Sequence, residues 1–174
     1  MSVTDFTSFI RDIPDFPEPG VVFKDITPLL ANANAFTELI DELTRPFTDM
    51  GIGKVAGIEA RGFTLATPVA ERLRAGFIPI RKPGKLPYET VREEYALEYG
   101  TDVLEIHTDA VQPGERILIV DDVVATGGTA AAAVRLLRRL GADVVGLSVF
   151  IELAFLNGVD QLAGVPLHAL VRYD

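Results

Sequence analysis

Two adjacent carboxylates, Asp121 and Asp122, followed by the small-residue turn Ala125-Thr126-Gly127-Gly128-Thr129, are the part of this chain best equipped for chemistry. Carboxylates accept hydrogen bonds from sugar hydroxyls, directly or through a hydrated metal. Small residues let backbone N–H groups close around an anion, and a helix start adds partial positive charge. That helix is expected at once, because residues 129–140 are rich in helix formers and Gly141 supplies a stop. Ahead of the acids, Ile117-Leu118-Ile119-Val120 is an unbroken apolar run, as a parallel strand covered on both faces requires. The string predicts a strand over 117–121, an acid pair at its end, an anion cradle and a helix. Such an arrangement suits a phosphorylated sugar. Asp121 and Asp122 would meet ribose hydroxyls, while Ala125, Thr126, Gly127, Gly128 and Thr129 would hold the 5′-phosphate. Neighbouring strand residues face opposite ways, so both acids can contribute only if the strand relaxes into the loop there.

Other glycine chemistry is excluded. No Lys follows Gly127-Gly128, so this is not a Walker P-loop. The cluster Gly51-Ile52-Gly53-Lys54-Val55-Ala56-Gly57 precedes a strand instead of following one, which removes the dinucleotide fingerprint.

Cations suited to a polyanion lie in two other places. Arg61 sits in Glu59-Ala60-Arg61-Gly62, and Arg81, Lys82 and Lys85 surround Pro83-Gly84. An Arg fork binds two oxygens at once, and Gly62 allows close backbone approach. A surface Arg paired with Glu59 is the plainer alternative for Arg61. The net charge of −9 argues against nucleic acid as a partner, since that binding rests on neutralising phosphates. An anionic ligand therefore needs local cations, whose field counts within a Debye length of about 8 Å at physiological salt. Neither His107 nor His168 has a metal-ligand partner nearby in sequence, and both read as structural.

The elements that must position these groups are legible as alternating strands and helices. Strands are expected at 54–58, 77–81, 117–121 and 144–151. Helices are expected across Phe36, Leu39, Ile40, Leu43 and Phe47, with Pro46 kinking or ending the first, and over 63–74 despite Pro68. Residues 95–99 and 103–107 could pair antiparallel around Gly100-Thr101. Alternation of this kind implies a parallel sheet with ligands beyond the carboxyl ends of its strands, which puts Glu59, Arg81 and Asp121 on one rim. The first 30 residues, rich in Pro and Phe, read as a cap. The charged Pro/Gly segment 82–102 reads as mobile. At 174 residues and 48% hydrophobic content, one α/β domain over 1–174 is expected. No apolar run reaches the roughly 20 residues that span a bilayer, and the N-terminus lacks a signal-peptide pattern. A cytoplasmic protein without membrane partners is the expectation; the absence of cysteine removes disulfides and thiolate metal sites.

The 117–129 segment resembles the phosphoribosyl-pyrophosphate motif of the type I phosphoribosyltransferases. Further stretches match the family in order: Ile13-Pro14-Asp15-Phe16-Pro17, Pro19-Gly20-Val21-Val22-Phe23-Lys24-Asp25-Ile26, Glu59-Ala60-Arg61-Gly62-Phe63, Arg81-Lys82-Pro83-Gly84-Lys85-Leu86-Pro87 and Leu97-Glu98-Tyr99-Gly100. The resemblance implies a parallel sheet core flanked by helices, with a small hood (1–30 and about 152–174) and a flexible lid (about 82–102). It implies transfer of 5-phosphoribosyl from phosphoribosyl pyrophosphate to adenine, with Mg2+ carried by the substrate and no protein metal site. Ala60, Arg61, Arg81, Lys82 and Lys85 would meet pyrophosphate, through side chains or backbone. Glu98 would handle the adenine proton, with Arg61 and Lys82 as its catalytic partners, and Tyr99 would pack over the closed site. Phe23 would stack on adenine, with backbone groups of Val22 and Lys24 reading its polar edge. Lys24 stands where some members carry Arg, which bears on base selectivity. A homodimer is implied, since an Arg at the position of Arg81 can reach the neighbouring subunit's site. Two alternatives remain at this stage: a transferase for hypoxanthine, guanine or xanthine, and a non-catalytic sensor of phosphoribosyl pyrophosphate. The chain shows neither the length nor the basic charge of an added DNA-binding domain, which counts against the sensor.

Overall fold

The computed structural model describes residues 5–97 and 100–174. The chain divides into two compact units, residues 1–42 and 43–174. In the first, β1 (Arg11–Pro14) pairs antiparallel with β2 (Val22–Asp25), with Ile13 opposite Phe23 and Asp12 opposite Lys24. The connection turns at Asp15 (φ 56°) and Gly20 (φ 88°), and the Gly20 N–H donates to Asp15 Oδ1 at 2.8 Å. This hairpin has no alternating pattern to announce it, so the sequence offers only an irregular cap. After a short helix, α1 (Thr27–Leu30), comes α2 (Ala33–Thr44), which runs into the second unit. Asn32 caps α2, its side chain accepting from the Ala35 N–H at 3.0 Å. Leu39, Ile40 and Leu43 form its buried stripe. Pro46 stands in a 3-10 turn, Arg45–Phe47, so α2 ends there as expected.

The second unit is built on β3 (Lys54–Ile58), α3 (Arg61–Leu73), β4 (Gly76–Ile80), β5 (Thr90–Ala96), β6 (Thr101–His107), β7 (Arg116–Val124), α4 (Gly128–Arg139), β8 (Asp143–Leu153) and β9 (Leu167–Tyr173). Five of these strands form a parallel sheet in the order β4-β3-β7-β8-β9. Ile117, Leu118, Ile119 and Val120 are fully buried at its centre, as the unbroken apolar run requires. Helix α3 packs on β3, β7 and β4, and α4 packs on β8 and on the β5–β6 hairpin. Pro68 does not break α3. The buried face of Leu65, Ala66, Val69 and Ala70 holds the helix through the missing backbone bond.

Two expectations need correction. β7 does not end at Asp121: it stays paired with β8 as far as Val124 opposite Glu152, because Val123 and Val124 continue its β-branched run. Of the C-terminal stretch expected to join the hood, Leu167–Tyr173 is instead the edge strand of the sheet. Within the segment expected as a lid, the hairpin β5–β6 begins at Thr90 and buries Tyr95, Leu104 and Ile106. Among the described residues no helix is long and apolar enough to cross a membrane.

Candidate active site

β3 and β7 are neighbours whose helices lead to opposite sides of the sheet, α3 outward to β4 and α4 outward to β8. With right-handed crossovers the two following loops must part at this point, opening a crevice beyond the carboxyl ends of the strands. A cavity of about 250 Å³ lies there. Its walls include Ala60 and Arg61 from the loop after β3, Lys82 from beyond β4, and Asp121 and Asp122 from β7. Ala125, Thr126, Gly127, Gly128 and Thr129 complete it, with Ile58, Glu59, Val123, Val124 and Ala130.

Both acids reach the cavity although β7 runs on past them. Asp121 Oδ1 accepts from the Asp122 N–H at 2.9 Å, so the first carboxylate folds back along its own strand. Burial pushes the Asp121 carboxyl well up, and the Asp122 carboxylate beside it adds to the rise. Asp122 is buried too and also raised, but the Arg61 guanidinium opposes the effect. Arg61 Nε lies 2.9 Å from Asp122 Oδ2. Gly62 is required beside this pair, since a Cβ there would come within 2.7 Å of Asp121 Oδ1.

The end of the cavity beside α4 is shaped by backbone. Gly127 is the N-cap of α4 with φ 83°, and no side chain caps the helix. The first-turn N–H groups of Gly128, Thr129 and Ala130 have no carbonyl of their own helix to bind, which makes them donors toward an anion. The turn is pressed from outside: a Cβ on Gly127 would strike the Gly158 carbonyl, and one on Gly158 would strike Ala125 O and lie 2.8 Å from the Gly127 nitrogen. Gln161 Nε2 also donates to Thr126 O at 2.8 Å. Gly158 belongs to no sequence motif, and nothing in its neighbours points to this contact. Gly158→Ala is expected to cost about 1–3 kcal/mol through overpacking. Thermal melts should show the loss, and it should deepen in the presence of a cradle-binding anion because the variant binds that anion less well.

The expected cations divide. Arg61 and Lys82 line the cavity, whereas Arg81 and Lys85 do not. Arg81 Nη2 lies 3.3 Å from Glu59 Oε2, and Glu59 also accepts from the Lys82 N–H. Glu59 therefore pairs with Arg81, not in the plainer arrangement with Arg61. Burial alone would raise the Glu59 carboxyl, but the Lys82 N–H and the Arg81 guanidinium outweigh it and hold it low. Arg81 also donates to Lys85 O at 3.3 Å and pairs its backbone with Glu105, which ties the cationic loop to β6.

Glu98, with Tyr99, lies outside the described residues. Val22, Phe23 and Lys24 lie on β2 in the first unit, where Phe23 meets Phe16 edge-on at 5.2 Å and Lys24 Nζ pairs with Asp12 Oδ1 at 2.7 Å. His168 packs edge-on against Phe47, and His107 Nε2 accepts from the Tyr88 N–H at 3.4 Å. Among the described residues no group of three or more His, Asp or Glu side chains is gathered as a metal cage would need. The two acids alone offer hard oxygen donors to a hydrated cation that arrives with other ligands.

The Phosphoribosyl transferase domain family matches residues 25–161. An adenine phosphoribosyltransferase of Thermobifida fusca (strain YX) is 62% identical over 162 residues, covering 93% of this chain and 92% of that protein. The crystal structure of adenine phosphoribosyltransferase from Rhodothermus marinus is similar with a TM-score of 0.93 and 52% identity, covering 97% of this chain and 96% of that one. The enzyme of Saccharomyces cerevisiae, solved with adenine and an imino-altritol bisphosphate, is similar at 0.90 and 37% identity, covering 95% and 96%.

Proposed function

This chain belongs to the phosphoribosyl transferase domain family, and we infer that it is a purine salvage enzyme transferring 5-phosphoribosyl from phosphoribosyl pyrophosphate to adenine. Its fold is that of the type I phosphoribosyltransferases, and its products are AMP and pyrophosphate. The observation that carries the reading is one cavity lined by Asp121, Asp122, the uncapped start of α4, Arg61 and Lys82.

In the reaction the C1′–oxygen bond breaks with its electron pair leaving on pyrophosphate, adenine N9 bonds to C1′, and the N9 proton passes to the Glu98 carboxylate. Charge develops at both ends, so catalysis is chiefly electrostatic and needs water excluded. The N–H groups at the start of α4, that of Thr129 among them, hold the 5′-phosphate together with Thr126. Asp121 and Asp122 hold the 2′ and 3′ hydroxyls. Arg61 and Lys82 face the leaving pyrophosphate, with Arg81 and Lys85 adding positive charge from behind Glu59. Mg2+ carried by the pyrophosphate substrate would offset charge on the leaving group, with Asp121 and Asp122 as the carboxylates able to meet its hydration shell. Val22, Phe23 and Lys24 bind adenine, and backbone recognition separates its 6-amino group from a 6-oxo group because donor and acceptor exchange places. Closure of the 82–102 segment as a lid, a hood formed by residues 1–30, a homodimer and a cytoplasmic setting belong to the same proposal.

The decisive experiment incubates the protein with Mg2+, phosphoribosyl pyrophosphate and each purine base in turn. AMP from adenine alone is expected. A product from hypoxanthine or guanine would overturn the base assignment, and no product at all would overturn turnover. Glu98→Gln should lower kcat by about 10²–10⁴-fold, the range for a general acid–base group, with little change in AMP affinity. Equal losses in both would make Glu98 a positioning group.

A further inference from the structure

Lys82 reaches the cavity already held from behind. Its ammonium donates to Asp102 Oδ2 and lies 3.3 Å from the Tyr95 hydroxyl. Tyr95 and Asp102 are cross-strand partners on β5 and β6, and the Tyr95 hydroxyl donates to the same Asp102 oxygen at 3.2 Å. Thr129, at the second position of α4, donates its hydroxyl to Tyr95 at 3.3 Å. A phenol has one proton and two lone pairs, so these three contacts saturate it. An ammonium has three donors; Asp102 and Tyr95 take two and leave the third for an anion in the cavity.

We propose that Tyr95 and Asp102 are positioning residues that aim Lys82 at the leaving pyrophosphate and join that subsite to the phosphate cradle through Thr129. This rests on the transferase reading above. The alternative is an ion pair that merely fastens the hairpin. The Lys82 and Asp102 side chains are 38% and 30% exposed, and a pair so wetted adds little to stability. Tyr95, by contrast, is a buried residue whose hydroxyl, among the described residues, bonds to the groups of this network. Burial by itself lowers the Lys82 pKa, but its bonds to Asp102 and Tyr95 outweigh that and keep the ammonium charged. The same pairing holds the Asp102 carboxyl low against its own burial. The cation is thus fixed in charge and direction before substrate arrives, as an electrostatic catalyst requires.

A double-mutant cycle tests the proposal. Asp102→Ala and Tyr95→Phe are each expected to lower kcat about tenfold, the size of losing orientation at a charge-stabilising group, without changing KM for adenine. In a Lys82→Ala background both should be silent, because they act through Lys82. Asp102→Asn, which keeps an acceptor but not the charge, should restore part of the loss. Undiminished losses in the Lys82→Ala background, or an unchanged kcat in both single variants, would overturn the proposal. Calorimetric titration with inorganic pyrophosphate separates this from the functional reading. If the wild type forms no nucleotide from adenine, that reading fails. The positioning role then still requires Asp102→Ala and Tyr95→Phe to weaken pyrophosphate binding severalfold with Lys82 present and to leave it alone with Lys82 absent.

Discussion

Arg61→Ala is expected to lower kcat for AMP formation by about 100- to 1,000-fold, the range for removing one donor that meets developing charge. The guanidinium lines the cavity, and its fork suits two pyrophosphate oxygens at once. Its partner in the free protein is Asp122, whose side chain is only 5% exposed. Removing Arg61 therefore has a second effect, because it leaves a buried carboxylate without its cation. Breaking a fully buried pair costs about 3–5 kcal/mol. The Arg61 side chain is 46% exposed, so the loss should be nearer about 1–2 kcal/mol after solvent screening. The Asp122 carboxyl should rise further, since the guanidinium is what opposes its burial. The two effects separate in the double variant. Arg61→Ala with Asp122→Asn should recover most of the melting temperature, as no unpaired carboxylate is left at position 122, while turnover stays low. Arg61→Lys should keep most of the stability but fall well short of full activity, because a point charge cannot reproduce the fork. Wild-type kcat in Arg61→Ala would remove Arg61 from the chemistry.

That Glu59 and Asp121 would share a rim was legible in the sequence through strand ends alone, and Arg61 lies two positions beyond Glu59; Arg81, expected on the same rim, does not line the cavity. The apolar runs 54–58 and 117–120 fixed two parallel strands, and parallel strands present their following loops on the same edge. What sits behind those loops was not legible. Asp102 lies twenty positions from Lys82, and no spacing rule joins a loop lysine to a strand aspartate; the Arg81–Glu105 bridge and the Tyr95–Asp102 register bring them together. Gly158 is similar, since its need for a missing side chain arises from a crossing with residues 125–127 that local pattern cannot show. The end of β7 was misplaced for a different reason. Carboxylates have poor strand propensity and were read as a terminus, whereas the valines after them keep the ladder with β8. β9 was hidden because residues 167–173 show neither an apolar run nor clean alternation, and an edge strand half open to solvent imposes neither. Functional polar groups at strand ends are thus what blurred the local signals, which is where local preference and site chemistry conflict.

The acid pair makes that conflict measurable. Asp121→Asn should stabilise the protein near neutral pH while weakening its hold on phosphoribosyl pyrophosphate. The Asp121 carboxyl is pushed well above its ordinary value by burial and then by the neighbouring Asp122 carboxylate. In the unfolded chain the same group titrates near an ordinary value of about 3.9. Between the two values the folded protein binds the proton that the unfolded chain has lost, so stability must fall as pH rises through that window. Below it both states are protonated and no penalty remains. The asparagine side chain cannot ionise, and its oxygen can still accept from the Asp122 N–H. Its advantage over the wild type should therefore be absent at pH values below about 4, grow as pH rises, and level off above the raised value. A gain of about 1–2 kcal/mol, the usual size for relieving a strained functional site, corresponds to roughly 2–8 °C in melting temperature for a chain of this length. The ribose side moves the other way. A carboxylate accepts from a hydroxyl more strongly than an amide does, and losing that charge assistance should weaken phosphoribosyl pyrophosphate binding by about 10- to 100-fold. Melting temperatures of the two proteins across pH, measured without substrate, test the first half, and titration with phosphoribosyl pyrophosphate tests the second. A pH-independent difference in melting temperature would mean that Asp121 does not carry the strain, and unchanged affinity would mean that it does not carry the ribose.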